Sequence, residues 1–437
     1  MDSTQMIPPS DQDRTRIVGP ASGDRTAMAS TKALSIECIS GNQYALSSDL
    51  TREHVLVTIR SIGAAVGGRM PMNLCLIIDR SGSMEGPPLD FAKQACAYVV
   101  DLLQPNDVLS IVTFEEQIEV LMPARRVVNR DLVKQHIYRI EPGNTTNIYD
   151  GIVAGCSQIA SVPAGGYVNR ALLLTDGEPT AGIKDFSSIV GQVAEQKSRG
   201  ITITALGFGG EYNEELLGGI ARRSGGNYYY ITRPDLIPEI FRRELESLMT
   251  VVARNLRLQV YLPRWVQVRQ IYGQQPVYSG KMAEVTLADL ERGSAETAII
   301  ELGLDPRPSG KYRVARIDLI YDDSVSGRQE TITCDAVMEF TTDSSLVEQG
   351  TNPQVQGELE VALASRALEK TVMGMRTQQI SPAAAVQELE RTKTILLQQG
   401  KTAQAQDVQN AINDIKGGAA AEKTLIGTIY NLDTGKQ

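Results

Sequence analysis

Asn73-Leu74-Cys75-Leu76-Ile77-Ile78-Asp79-Arg80-Ser81-Gly82-Ser83 is the stretch on which the reading of this chain turns. The apolar run Leu74–Ile78 predicts a buried strand, and a helical pattern begins at Leu89. A D-x-S-x-S at the carboxyl end of a buried strand gathers one carboxylate and two hydroxyls in a single turn. These are hard oxygen ligands of the kind Mg²⁺ accepts. Open α/β sheets place their sites beyond such strand ends.

Outward from this stretch, strands and helices alternate from Pro71 to about Leu248. Strands are predicted over 73–79, 107–114, 170–176, 201–208 and 227–231, with an extra one over 119–127. Helices are predicted over 89–103, 132–139, 149–161, 187–199, 213–223 and 236–249. Leu89, Cys96, Val99, Val100 and Leu103 form one helical face. Ala171-Leu172-Leu173-Leu174 is apolar throughout, as when helices cover both faces of a parallel sheet. The fold class is α/β, a doubly wound, mostly parallel sheet.

The flanks read differently. Leu34, Ile36 and Cys38, then Val55, Val57 and Ile59, alternate with a period of two. Alternation returns between Val251 and Thr342, as in Leu256, Leu258, Val260 and Leu262. Turn clusters at 306–310 and 322–327 separate the later strands, a β-sandwich signature. Residues 33–69 are too few for a domain of their own, so they are expected to join 251–342 in one discontinuous antiparallel sandwich. The α/β domain, 70–250, is then an insertion. After a polar linker at 344–353, helical periodicity over 354–416 predicts a small hairpin or bundle. Residues 1–31 read as a disordered leader and 417–437 as a short polar tail. That tail carries Thr424 and Thr428, considered as phosphorylation sites for docking but read as part of a frayed terminus.

Composition excludes several classes. A length of 437 residues suggests about two to four domains. The net charge of −9, with basic residues scattered, argues against a nucleic-acid surface. No apolar run approaches the roughly 18 residues of a membrane span. No apolar signal-peptide core stands near the amino terminus, so a cytoplasmic location is expected. The five cysteines, Cys38, Cys75, Cys96, Cys156 and Cys334, are expected as reduced, packed thiols. With two histidines, His54 and His136, both read as surface or structural residues, a His-rich zinc site or a catalytic triad is nearly excluded.

Two further pieces bear on Asp79. Pro142-Gly143-Asn144-Thr145-Thr146-Asn147 is a polar loop before a helix. Leu173-Leu174-Thr175-Asp176-Gly177 ends a second buried strand in a carboxylate. Singly, each piece reads as a turn or helix cap. Together, in a parallel sheet, they let Asp79, Ser81, Ser83, Thr146 and Asp176 surround one cation. Three neutral hydroxyls and two carboxylates, one or both acting through water, under-neutralise a divalent ion. An open position would then attract a partner's carboxylate. Other motifs carry less. Gly207-Phe208-Gly209-Gly210 lacks the third glycine of a dinucleotide fingerprint, Tyr212 standing in its place. Asp322-Asp323 reads as a turn, Tyr228-Tyr229-Tyr230 as strand composition, and Glu115-Glu116 as solvated charge.

On these motifs the chain resembles the von Willebrand factor A family over about residues 70–250. Residues 79–83 match its D-x-S-x-S, Thr146 its middle-loop threonine, and Asp176 its T-D-G aspartate. Ala205–Gly209 and Asn213–Leu217 look like the late strand and helix of bacterial members. The resemblance implies a metal-ion-dependent adhesion site for Mg²⁺ or Mn²⁺, held by Asp79, Ser81, Ser83, Thr146 and Asp176. The flanking β segments resemble bacterial inter-alpha-trypsin-inhibitor-like and other multi-domain members.

The expected function is a non-enzymatic interaction scaffold that binds a partner's Asp or Glu through the cation. One alternative, which the resemblance implies, is an accessory subunit of a MoxR-type AAA+ ATPase; this chain has no Walker A of its own, so the ATPase would be separate. A metal-dependent hydrolase is a third reading, set back by the lack of a positioned general base or phosphate-clamping Lys or Arg.

Overall fold

The structure is a computed structural model and describes residues 33–62, 69–163, 166–209, 212–324, 326–418 and 421–433. The expected leader over 1–31 lies outside the described residues. Three strands come first: β1 (Leu34–Ser40), β2 (Tyr44–Leu46) and β3 (Thr51–Ser61). The alternating block follows, with β4 (Met72–Asp79), α1 (Pro87–Leu102), β5 (Val108–Phe114), β6 (Ile118–Arg126), α2 (Arg130–Tyr138) and α3 (Ile148–Ala160). It continues through β7 (Val168–Thr175), α4 (Phe186–Ser198), β8 (Thr202–Phe208), α5 (Glu214–Ser224), β9 (Tyr228–Ile231) and α6 (Ile237–Met249). Strands return as β10 (Val251–Tyr261), β11 (Val266–Ile271), β12 (Val277–Ser279), β13 (Met282–Thr286), β14 (Leu290–Glu291), β15 (Ala295–Leu304), β16 (Gly310–Asp323) and β17 (Gln329–Thr341). Helices α7 (Ser344–Gln349), α8 (Pro353–Arg376), α9 (Pro382–Gln398), α10 (Thr402–Lys416) and α11 (Glu422–Asp433) complete it.

The α/β block is a six-stranded sheet in the order β6-β5-β4-β7-β8-β9, parallel except for β6. Every residue of β4 is buried. Leu74, Leu76 and Ile78 face a core shared with Leu89 and Cys96 of α1 and Phe241 and Leu245 of α6. Cys75 and Ile77 face the other way, toward Ile152 and Cys156 of α3 and Val193 of α4. The period of two thus sends alternate apolar side chains into separate helical layers. Gly155 lets α3 approach β4, because a Cβ there would lie 2.4 Å from Ile77 Cδ1. From β4 the chain runs outward through β5, then returns to build β7, β8 and β9 on the opposite side. The carboxyl ends of β4 and β7 therefore flank the point where the winding reverses.

The sandwich has a four-stranded sheet, β1-β3-β15-β11, and a seven-stranded sheet that includes β12-β13-β10-β16-β17-β2 with β14 paired to β10. β3 pairs with β15 from Thr51–Leu304 to Arg60–Ala295. A strand before the α/β block and one after it thus share a ladder, and the block is an insertion, as expected. Val55, Val57 and Ile59 pack against the other sheet's Leu258, Val260 and Ile317. Pairing is not wholly antiparallel, because β2 runs parallel to β17. A register shift between Arg313 and Ala315 makes Val314 and Ala315 both buried, where strict alternation would bury one.

The cysteine expectation needs correction. Cys38 of β1 and Cys334 of β17 form a disulfide, with Cα atoms 6.1 Å apart, while Cys75, Cys96 and Cys156 are free and buried. The two sheets bring strands far apart in sequence into contact, which spacing alone does not show. Burial pushes the Cys75 and Cys96 thiols up to about 12.

The helices α8–α11 share an apolar core of their own, including Leu368, Leu389, Val408 and Leu425. Two expectations fail here. The linker at 344–353 contains α7, and the polar tail at 417–437 contains α11. Thr428 is buried and its hydroxyl donates to Thr424 O at 3.0 Å, so it is no exposed docking site. Tyr430 reaches the α/β core, and its hydroxyl donates to Gly226 O. At the amino half of β7, buried Arg170 pairs with Asp289 of the sandwich at 3.2 Å. The sandwich thus meets β7 at the end away from Thr175.

Candidate metal centre

Asp79 ends β4 and Asp176 follows β7, and these strands are hydrogen-bonded neighbours up to the Ile78–Leu174 pair. Asp79 is fully buried. Its Oδ1 accepts the Ser81 backbone N–H at 2.8 Å, and its Oδ2 accepts the Thr175 hydroxyl. The next residues coil into a 3₁₀ turn, Gly82–Met84, in which Met84 N–H donates to Ser81 O at 3.0 Å. That coil sets Ser81 Oγ 3.3 Å from Ser83 Oγ, and Ser83 donates to Asp176 Oδ1 at 2.8 Å.

The loop between α2 and α3 arrives through backbone bonds. Gly143 N–H donates to Arg80 O at 2.5 Å, Gly82 N–H to Asn144 O at 3.3 Å, and Asn147 N–H to Glu115 O at 3.1 Å. Thr146 is buried there, and its N–H donates to Thr180 Oγ1 at 2.8 Å. Thr146 O accepts the N–H groups of Thr180 and Ala181 at 2.9 and 3.2 Å. A Cβ built on Gly177 would lie 3.5 Å from Thr146 Oγ1 and 3.9 Å from Ser83 Oγ, so both hydroxyls lie near the backbone after Asp176. Gly182 takes φ +66°, and a Cβ there would fall 2.2 Å from Asn147 Oδ1. The 176–185 loop therefore lies tightly over the Thr146 loop.

All five sequence-predicted residues come together at this one edge. Thr175 and Thr180 were not foreseen, although the T-D-G triplet already held Thr175. Glu115 also departs from expectation. It is buried rather than solvated, pairs with Arg80 at 3.4 Å and packs against Gly143. Hydrogen bonds from backbone N–H groups and the Arg80 charge hold its carboxyl below the usual range.

Burial pushes the Asp79 carboxyl up to about 7, and the nearby Asp176 pushes the same way, while hydrogen bonds from Thr175 and Ser81 oppose the shift. Burial, the Thr175 and Ser81 donors and the Asp176 charge are the groups that shape it most. A buried carboxylate beside a second carboxylate and several hydroxyls has the donor chemistry of a hard divalent ion. The residues present therefore fit Mg²⁺ or Mn²⁺. Among the described residues no group of three or more His, Cys, Asp or Glu is placed to hold a metal, so such a site depends on its hydroxyls.

Residues 73–243 match the von Willebrand factor type A domain. The α/β block has the von Willebrand factor A fold. The chain is similar to uncharacterized protein sll0103 of Synechocystis sp., with 29% identity over 275 residues, covering 61% of this chain and 65% of that protein. Human inter-alpha-trypsin inhibitor heavy chain H4 is 29% identical over 215 residues, 43% of this chain but 23% of that protein. The similarity to both thus leaves a third or more of each relative uncovered. A solved von Willebrand factor type A protein from Catenulispora acidiphila superposes with a TM-score of 0.73 at 17% identity, covering 86% of this chain and 89% of that one. That likeness extends beyond the A domain into the sandwich and helices. Von Willebrand factor A domains are typical protein-interaction modules.

Proposed function

We propose that this protein is a non-enzymatic interaction scaffold whose A domain binds an Asp or Glu of a protein partner through Mg²⁺ or Mn²⁺. Asp79, Ser81, Ser83, Thr146 and Asp176 would hold the ion. The observation that carries this reading is the fully buried Asp79 carboxylate, set beside Asp176 and the hydroxyls of Ser81, Ser83 and Thr175. When bound, the cation supplies positive charge and an electrophilic position for an oxygen anion. The chain's own groups do the rest. Thr175 and the Ser81 N–H fix the Asp79 carboxylate, and Ser83, exposed at the surface, marks the side that opens outward. The domain limits we assign are 70–250 for the A domain, with 33–69 and 251–342 forming the sandwich. Cytoplasmic residence would require Cys38 and Cys334 to be held as thiols, because disulfides persist in oxidising compartments.

The test is Mn²⁺ binding, read by electron paramagnetic resonance, together with capture of protein partners in Mg²⁺ and in EDTA. Asp79→Ala should weaken Mn²⁺ binding by at least about tenfold and abolish the Mg²⁺-dependent capture. Asp79→Asn, which preserves the shape, should do the same. Partner capture that survives both EDTA and these substitutions would overturn the proposal.

A further inference from the structure

The edge of the sheet that carries Asp79 has a charge pattern that cation binding alone does not use. Four described loops surround the site: 80–86, 115–117, 141–147 and 176–185. Each presents at least one exposed acid, namely Glu85, Glu116, Glu141, and Glu178 with Asp185. The exposed base on these loops is Lys184, since Arg80 is largely buried against Glu115. Among the described residues no basic side chain pairs with Glu85, Glu116, Glu141 or Glu178. A divalent ion held at Asp79 and Asp176 would leave the charges of this rim uncompensated.

A carboxylate approaching the cation crosses that rim. Loop-scale separations are comparable with the Debye length of about 8 Å at physiological ionic strength, so the rim is felt. Acidic neighbours of the incoming residue would meet like charge, whereas basic neighbours would meet opposite charge. Attraction at the cation and repulsion at the rim together discriminate between acidic residues by their surroundings.

Building on the proposed function, we propose that this face selects an acidic residue embedded in a basic segment of its partner and rejects one embedded in an acidic segment.

The probes are three fluorescein-labelled nine-residue peptides. One has a central Asp flanked by lysines, one a central Asp flanked by glutamates, and one a central Asn flanked by lysines. Anisotropy is followed with the full-length protein saturated with Mn²⁺. The Lys-flanked Asp peptide should bind at least about tenfold tighter than the Glu-flanked one, and added salt should shrink that ratio. The Asn peptide should lose binding. The triple variant E85K/E116K/E178K changes exposed side chains only, and it should reverse the preference while Mn²⁺ still binds. Equal binding of the two Asp peptides, no binding of either, or a ratio unmoved in the triple variant would overturn the inference. So would an Asn peptide that binds as well as its Asp counterpart. If Mn²⁺ itself does not bind, the metal reading fails first, and this inference with it.

Discussion

Asp79 is held by a residue that belongs to another strand. The Thr175 hydroxyl donates to its Oδ2 from the end of β7, while the Ser81 N–H takes Oδ1. A ligand carboxylate held from outside in this way keeps one orientation, and loss of such an outer partner typically costs 10–100-fold in metal affinity. Thr175→Val retains the shape of the side chain and removes the donor. It should weaken Mn²⁺ binding by about tenfold or more while leaving the urea unfolding midpoint within the range of other buried Thr→Val changes. Unchanged Mn²⁺ affinity would show that Thr175 only packs. Asp79, Ser81 and Ser83 were legible in the sequence because local spacing alone puts them in one turn. Thr146 and Asp176 needed the further step of setting strand ends side by side. The role of Thr175 was not legible, because nothing in spacing says which lone pair of a carboxylate a neighbouring strand will satisfy.

At the scale of elements, β3 carries a second buried carboxylate with a different meaning. Glu53 is 6% exposed, and its Oε1 accepts the N–H groups of Asn42 and His54 at 3.0 and 2.8 Å. Burial outweighs these bonds and pushes its carboxyl up to about 7. The folded chain therefore keeps a proton between about pH 4.5 and 7 that the unfolded chain has released. Its contribution is most favourable at the acidic end of that window, is lost as pH rises through it, and levels off above about 7. Glu53→Gln preserves an acceptor for both N–H groups and removes the titration. Urea unfolding should find the variant near wild type at pH 5 and more stable at pH 8, by up to about 3 kcal/mol. An equal difference at both pH values would contradict this origin.

The elements of the A domain were legible to within about two residues because two signals coincide there: uniformly apolar strands, and helices with one apolar face. Helix α11 was not. Gly417-Gly418 reads as an end, and Leu425, Ile429 and Tyr430 form a meaningful stripe only once a neighbouring surface exists to receive them. Short strands such as β12 and β14 carry too few residues for a period to register.

For the whole molecule, the decisive relation is that β3 and β15 share a ladder although the A domain lies between them in sequence. Its legibility was indirect. A β segment too small to stand alone before the α/β pattern, and a longer one after it, leave an insertion as the economical arrangement. How the parts are tied was not legible, because Arg170–Asp289 and Tyr430–Gly226 join residues that no local pattern relates.

The Cys38–Cys334 bond spans 296 residues of sequence, and the entire A domain falls inside that span. When the bond is formed, the backbone between these cysteines is a covalent circle, and the Asp79 face sits on it as a bead on a closed ring. One peptide-bond cut opens the circle without dividing the molecule. Limited proteolysis that nicks once within the ring should leave a single band on a non-reducing gel and two fragments after reduction. Fragments that part without reductant would show that the ring is open. In the closed state, a protease would have to cut the chain twice to release the Asp79 face from its sandwich.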